Sequence, residues 1–97
     1  MNIAVIDDSI DDARQLAGFV STYFSDAHIS QKTTIFNTAA DFLNIWHTGG
    51  YDLVFIDIYL KGEASGIRIA ERIRRDDDQC TIILTTSSTD FALKGYE

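Results

Sequence analysis

An alternating α/β domain on a parallel sheet is the fold class this 97-residue sequence predicts. Three observations lead there. Short apolar runs rich in β-branched residues lack the polar alternation of a half-exposed strand, so they read as strands buried on both faces. The segments between them carry apolar residues at helical spacing and open on Ser or Thr. The two kinds alternate as βαβαβαβα, which implies right-handed crossovers within one sheet.

The first strand runs from Asn2 to Asp7. Ser9 then caps a helix, with Asp12 three residues on in the capping-box position. Ile10, Ala13, Leu16, Ala17, Val20 and Phe24 fall on one face of that helix. A polar turn around Ser25 to Ser30 leads to a weaker strand, Lys32 to Phe36, suited to a sheet edge. Thr38 with Asp41 repeats the cap. The second helix turns Ala39, Phe42, Leu43 and Trp46 inward and is expected to stop at Gly49-Gly50. Tyr51 to Asp57 is the strongest strand signal, followed by a loop from Tyr59 to Ser65. Ile67 to Arg75 reads as a helix with Ile69, Ala70 and Ile73 facing the sheet, and Glu71 to Arg75 is an i,i+4 pair worth only ~0.3 kcal/mol. Asp76 to Gln79 reads as a solvated acidic turn before a fourth strand, Cys80 to Thr85. A fourth helix begins at Thr89, carrying Phe91, Ala92, Leu93 and Tyr96.

The length fits one domain, residues 1–97, and 45% apolar content supports one core. Fifteen acidic against eight basic residues give a net charge of −7, which argues against nucleic-acid binding by this segment. Cys80 reads as a small core residue in a reducing compartment. Neither a signal peptide nor a membrane span is legible, so a cytoplasmic location is expected.

Three strand ends carry the chemistry. Ile3-Ala4-Val5-Ile6 runs into Asp7-Asp8, Leu53-Val54-Phe55-Ile56 into Asp57, and Ile82-Ile83-Leu84 into Thr85-Thr86-Ser87. In a parallel sheet these groups converge on the carboxyl edge, where open α/β folds bind ligands. Carboxylates ~4 Å apart repel by about 4 kcal/mol at an effective dielectric near 20, and a cation relieves this. Mg²⁺, hard and octahedral, suits the set. With charge so spread, an anionic phosphoryl donor could approach Asp57, whose carboxylate is placed to act as nucleophile. Thr86 could donate to a phosphoryl oxygen, and the small Ser87 leaves room for the group.

VIDD near the start, LVFID in the middle and IILTTSS near the end, in that order and spacing, resemble the receiver domain of bacterial two-component response regulators. The tail TTSSTDFALKGYE is most similar to receivers that precede LytTR-type DNA-binding domains in transcription regulators. The resemblance implies a flavodoxin-like sheet in the order 2-1-3-4 with helices on both faces. It implies Asp57 as phosphoacceptor and Mg²⁺ ligand, Asp8 as direct Mg²⁺ ligand, Asp7 acting through water, and the backbone carbonyl of Tyr59 as a further ligand. Thr86 would be the switch hydroxyl, with Ser87 beside the phosphoryl group. The side chains of Tyr59 and Ser88 would tune hydrolysis of the acyl phosphate. The partner implied is a sensor histidine kinase.

Two features depart from the family pattern. The loop after Asp57 lacks the usual proline and is one residue longer. The chain stops at Glu97, before the family's fifth strand, its lysine and the fifth helix; Lys94 lies in the expected fourth helix and is no substitute. This reads as a C-terminally incomplete receiver whose fourth strand and one sheet face lack cover, so a homodimer or an element-swapped oligomer is expected.

Bland readings compete for single residues. Asp8 alone could merely oppose a helix dipole. His28 and His47 lack ligand-spaced partners and read as surface residues. Trp46 with Phe42 reads as core, and Ser87-Ser88 lacks the G-x-S-x-G setting of a serine hydrolase. The expectation is therefore a signalling receiver, not an enzyme. The alternatives are a phosphorylation-incompetent pseudo-receiver serving as a dimerisation module, and a Mg²⁺-dependent phosphatase with Asp57 as nucleophile. Tyr59, where haloacid-dehalogenase-like enzymes need an acidic residue, counts against the last.

Overall fold

The computed structural model describes residues 1–60 and 65–85. Within them the alternation is realised as β1 (Asn2–Ile6), α1 (Ile10–Asp26), β2 (Lys32–Phe36), α2 (Ala39–Ile45), β3 (Leu53–Asp57), α3 (Gly66–Asp76) and β4 (Thr81–Thr85). All four strands pair in parallel, in the order β2-β1-β3-β4. The expected fourth helix and the residues 86–97 that would form it lie outside the described residues, as do residues 61–64.

Burial explains the order. Ile3, Ala4, Val5 and Ile6 of β1 are all fully buried, the pattern of a central strand covered on both faces. Thr33 and Thr34 make β2 the more polar strand, and it occupies an edge. One face of the sheet packs Ala4, Ile6, Val54 and Ile56 against Phe42 of α2 and Ile69 and Ile73 of α3, with Cys80 also buried there. Phe36, Phe42 and Tyr51 meet on this face, the first two edge-to-face at 5.3 Å. Such a pair adds about 0.5–1.5 kcal/mol beyond its buried area. On the other face, α1 crosses β1 and β2 and leaves an apolar groove between Phe19, Tyr23, Phe24 and the strand residues Leu53, Phe55 and Ile83.

Local chemistry fixes the helix ends. Ser9 Oγ accepts the Asp12 N–H at 3.3 Å, and Thr38 Oγ1 the Asp41 N–H at 3.0 Å. The capping box is only half formed, because the Ser9 N–H donates to Asp7 Oδ1 at 2.9 Å. At the far end of α1, His28 adopts a positive φ of 59°. The N–H groups of His28 and Ile29 donate to the carbonyls of Ser25 and Phe24, completing a Schellman turn without glycine. Ile10, assigned to the inward stripe, is exposed; it lies at the first helical position, ahead of the part of α1 that meets the sheet.

Two expectations about loops fail for a common reason. The helix α2 ends at Ile45 and not at Gly49-Gly50, with Trp46 already extended. The turn Asp76 to Gln79 is not simply solvated, because Asp77 is buried. Its carboxylate accepts the N–H groups of Gly49, Gln79 and Cys80 at 2.9–3.1 Å, while Thr48 Oγ1 donates to the Asp76 carbonyl. These long-range partners draw residues 48 and 49 away from the helix. Gly49, at φ 81°, takes the left-handed turn that this path requires.

Candidate functional site

Register brings the carboxylates together. Ile6 pairs with Ile56 across β1 and β3, so Asp7 and Asp57 follow on the same rung, on strands about 4.8 Å apart. Asp57 in turn pairs with Thr85 of β4. One carboxylate oxygen from each of Asp7, Asp8 and Asp57 lies within 4.8 Å of the other two. Asp7 and Asp57 are only 4% and 2% exposed, although both are acidic. Buried carboxylates crowded by like charges are costly unless a ligand compensates them.

Two of the three carboxylates are held by the backbone two residues on. Asp7 Oδ1 accepts the Ser9 N–H at 2.9 Å, and Asp57 Oδ1 accepts the Tyr59 N–H at 3.0 Å. The main chain of Asp7 is clamped by the end of β2: its N–H donates to the Phe36 carbonyl, and its carbonyl accepts Asn37 Nδ2, both at 3.0 Å. Beyond Asp57, the Ile58 N–H donates to the Thr85 carbonyl at 2.8 Å, and the Ile58 carbonyl accepts the Gly66 N–H at 3.1 Å.

The electrostatics follow from this crowding. Burial raises the Asp7 carboxyl from 3.8 to about 6, against the lowering effect of the Ser9 N–H, and the Asp57 charge adds to the rise. Burial likewise raises Asp57, with the Tyr59 N–H opposing and the Asp8 charge reinforcing. A site that disfavours its own negative charge favours an added cation. The donors are hard carboxylate oxygens converging from two strand ends, which fits Mg²⁺. Tyr59, whose backbone carbonyl was expected as a further ligand, lies next to the cluster in sequence with its side chain 71% exposed.

Asp7, Asp8 and Asp57 thus come together as expected. Thr86, Ser87, Ser88 and Lys94 lie outside the described residues, although β4 ends at Thr85 beside Asp57. His28 and His47 are exposed, and Cys80 is buried with its thiol pushed up, first by burial and then by the Asp77 charge. Sequence reasoning missed Asn37 and Gly66. The former stands at the end of β2, adjacent to the end of β1 once the order 2-1 is assumed, which was the available signal.

Comparison with known proteins accords with this geometry. Residues 4–96 match the family model described as the response regulator receiver domain. No curated protein sequence is significantly similar to the chain. Among solved structures, the response regulator TrrA of Thermotoga maritima, in complex with Mg²⁺-BeF, superposes with a TM-score of 0.74 at 24% identity, over 97% of this chain and 76% of that one. TrrA in complex with histidine kinase ThkA gives a TM-score of 0.61 at 27% identity, over 89% and 68%. The N-terminal domain of a response regulator/sensory box/GGDEF three-domain protein from Carboxydothermus hydrogenoformans gives 0.69 at 22%, over 92% and 66%. The chain spans about two thirds of the length of this last structure. Among the described residues no helix is long and apolar enough to cross a membrane. The chain belongs to the response regulator receiver domain family.

Proposed function

We propose that the chain is a phosphoacceptor receiver that takes a phosphoryl group from a histidine kinase onto Asp57, with Mg²⁺, and switches a downstream output. The observation that carries this reading is the convergence of Asp7, Asp8 and Asp57 within 4.8 Å at the carboxyl edge of the sheet. An oxygen of the Asp57 carboxylate attacks phosphorus. The bond from phosphorus to the donor nitrogen breaks, its electron pair stays on the leaving imidazole, and an acyl phosphate results. Asp7, Asp8, Asp57 and the Tyr59 carbonyl would hold Mg²⁺, which when bound would supply the positive charge that lets an anionic donor approach the carboxylate. The Tyr59 N–H fixes the orientation of Asp57 Oδ1.

Thr86 and Ser87 are assigned to the phosphoryl contact, and Tyr59 and Ser88 to the rate at which water cleaves the acyl phosphate. Tyr59 is exposed and follows Asp57 by two residues, which suits that task. A LytTR-type output is part of the proposal and rests on the likeness of the tail alone. Self-association is a separate part, supported by the apolar groove beside α1. Light scattering that gives a clean monomer at high concentration would refute it.

Incubation with acetyl phosphate and Mg²⁺ followed by intact mass measurement tests the main reading. One added phosphoryl group, abolished by Asp57→Asn, is expected. The absence of an adduct would leave the chain a pseudo-receiver, and sustained release of phosphate from p-nitrophenyl phosphate would make it a phosphatase.

A further inference from the structure

We infer that Gly66 is a positioning residue for the phosphoacceptor: the absence of its side chain lets the first turn of α3 seat directly on the Asp57 backbone and set the carboxylate. This rests on the proposed function and deepens it. A Cβ at Gly66 would lie 2.1 Å from the Asp57 carbonyl oxygen, 2.8 Å from its carbonyl carbon and 2.9 Å from the Ile58 Cα. All three are backbone atoms, so no rotamer change relieves the contact. Restoring an ordinary separation moves α3 or the end of β3 by about 1 Å, and a misplacement of that size can cost roughly 100-fold in a group-transfer rate.

The neighbouring bonds transmit this displacement to the carboxylate. The Gly66 N–H holds the Ile58 carbonyl at 3.1 Å, and Ile58 donates in turn to Thr85 of β4 at 2.8 Å. One residue on, the Tyr59 N–H holds Asp57 Oδ1 at 3.0 Å. A shift of the peptide after Asp57 therefore acts on the orientation of the nucleophile before it acts on Asp7, which is tied to the end of β2 through Phe36 and Asn37 and to the Ser9 N–H. The α3 cap itself, Ser65 Oγ to the Arg68 N–H, is independent of the missing Cβ.

The test compares Gly66→Ala with Gly18→Ala, a glycine on α1 whose Cβ meets nothing within 4 Å. Phosphorylation by acetyl phosphate is followed at saturating Mg²⁺, Mg²⁺ affinity by calorimetry, and the Tyr59 amide by ¹⁵N–¹H correlation spectra. In Gly66→Ala the maximal rate is expected to fall at least about tenfold, with a much smaller change in Mg²⁺ affinity. The Tyr59 amide should move upfield and exchange faster as its bond to Asp57 loosens, with β1 and β2 amides unchanged; Gly18→Ala should match the parent. A folded Gly66→Ala with parental rate and parental Tyr59 amide overturns the assignment. So does a variant that stays unfolded in trimethylamine N-oxide, since the role would then be one of general stability. If the parent itself accepts no phosphoryl group, the proposed function fails, and the Tyr59 amide alone decides whether Gly66 positions Asp57.

Discussion

Asp7→Asn should stabilise the metal-free protein at neutral pH, even though it removes a member of the acidic cluster. In the folded chain Asp7 titrates at about 6, against 3.8 for an unperturbed aspartate. Its folded-state value is raised, so protonation favours the fold. The contribution is fully present below the unfolded value and is lost as pH rises through about 6. At 1.36 kcal/mol per unit the ceiling is about 3 kcal/mol, which solvent screening at the pocket mouth reduces to about 1–2 kcal/mol. Asn keeps a carbonyl oxygen for the Ser9 N–H while removing the charge that the Asp57 and Asp8 carboxylates oppose. For a domain of this length, 1 kcal/mol corresponds to about 4–8 °C in Tm. Calorimetric melts in EDTA at pH 7.5 should therefore place Asp7→Asn several degrees above the parent, with the gap closing as pH falls from 6 to below 4. Added Mg²⁺ should raise the parent more than the variant, reversing or narrowing the order. A lower Tm for Asp7→Asn in EDTA at pH 7.5, or a gap independent of pH, would refute the reasoning.

Three further outcomes are expected. Phe42→Ala deletes a fully buried ring packed against Phe36 and Tyr51, so urea denaturation should show a loss of about 3–5 kcal/mol. His28→Gly relieves a left-handed conformation in the Schellman turn and should gain about 0.5–1 kcal/mol in the same assay, with α1 helicity unchanged. Asp77→Ala removes the acceptor of three N–H groups. Those N–H groups hold the Asp77 carboxyl below its usual value, so the variant should melt lower at pH 7, with the deficit shrinking as pH drops below 3.8.

What was legible in the sequence was whatever short-range pattern encodes. The four strands, three helices and two of the N-caps are local signals, and Ser9 and Thr38 do cap their helices; Ser65, read only as the end of a loop, caps the third. Asp7 and Asp57 could be paired because strand ends in parallel order must lie side by side, which register then places on one rung. The end of α2 was not legible, because its competitor is an aspartate 28 residues downstream of Gly49. The buried Trp46 indole N–H, which has no partner among the described residues, was equally invisible to a reading that knew only that Trp46 faces inward. Gly66 falls between the expected loop and the expected helix, and only the approach of α3 to the Asp57 carbonyl singles it out.

The contrast between Asp77 and the pair Asp7 and Asp57 carries the functional argument further than the cluster alone. All three are buried carboxylates of one residue type. Asp77 collects three backbone N–H donors, which outweigh burial and leave it below its ordinary value. Asp7 and Asp57 each accept one such donor, lie among like charges, and sit above theirs. The same chain therefore shows that it can satisfy a buried aspartate when the aspartate serves the fold, tying two loops on the far side of the molecule. Leaving two others under-satisfied at the carboxyl edge is a local conflict of the kind that folds retain where a ligand resolves it. On the proposed function a bound cation would resolve it, and only with that charge offset could an anionic phosphoryl donor approach Asp57. On that account the acidic pocket is where this domain gives up stability to leave room for a ligand.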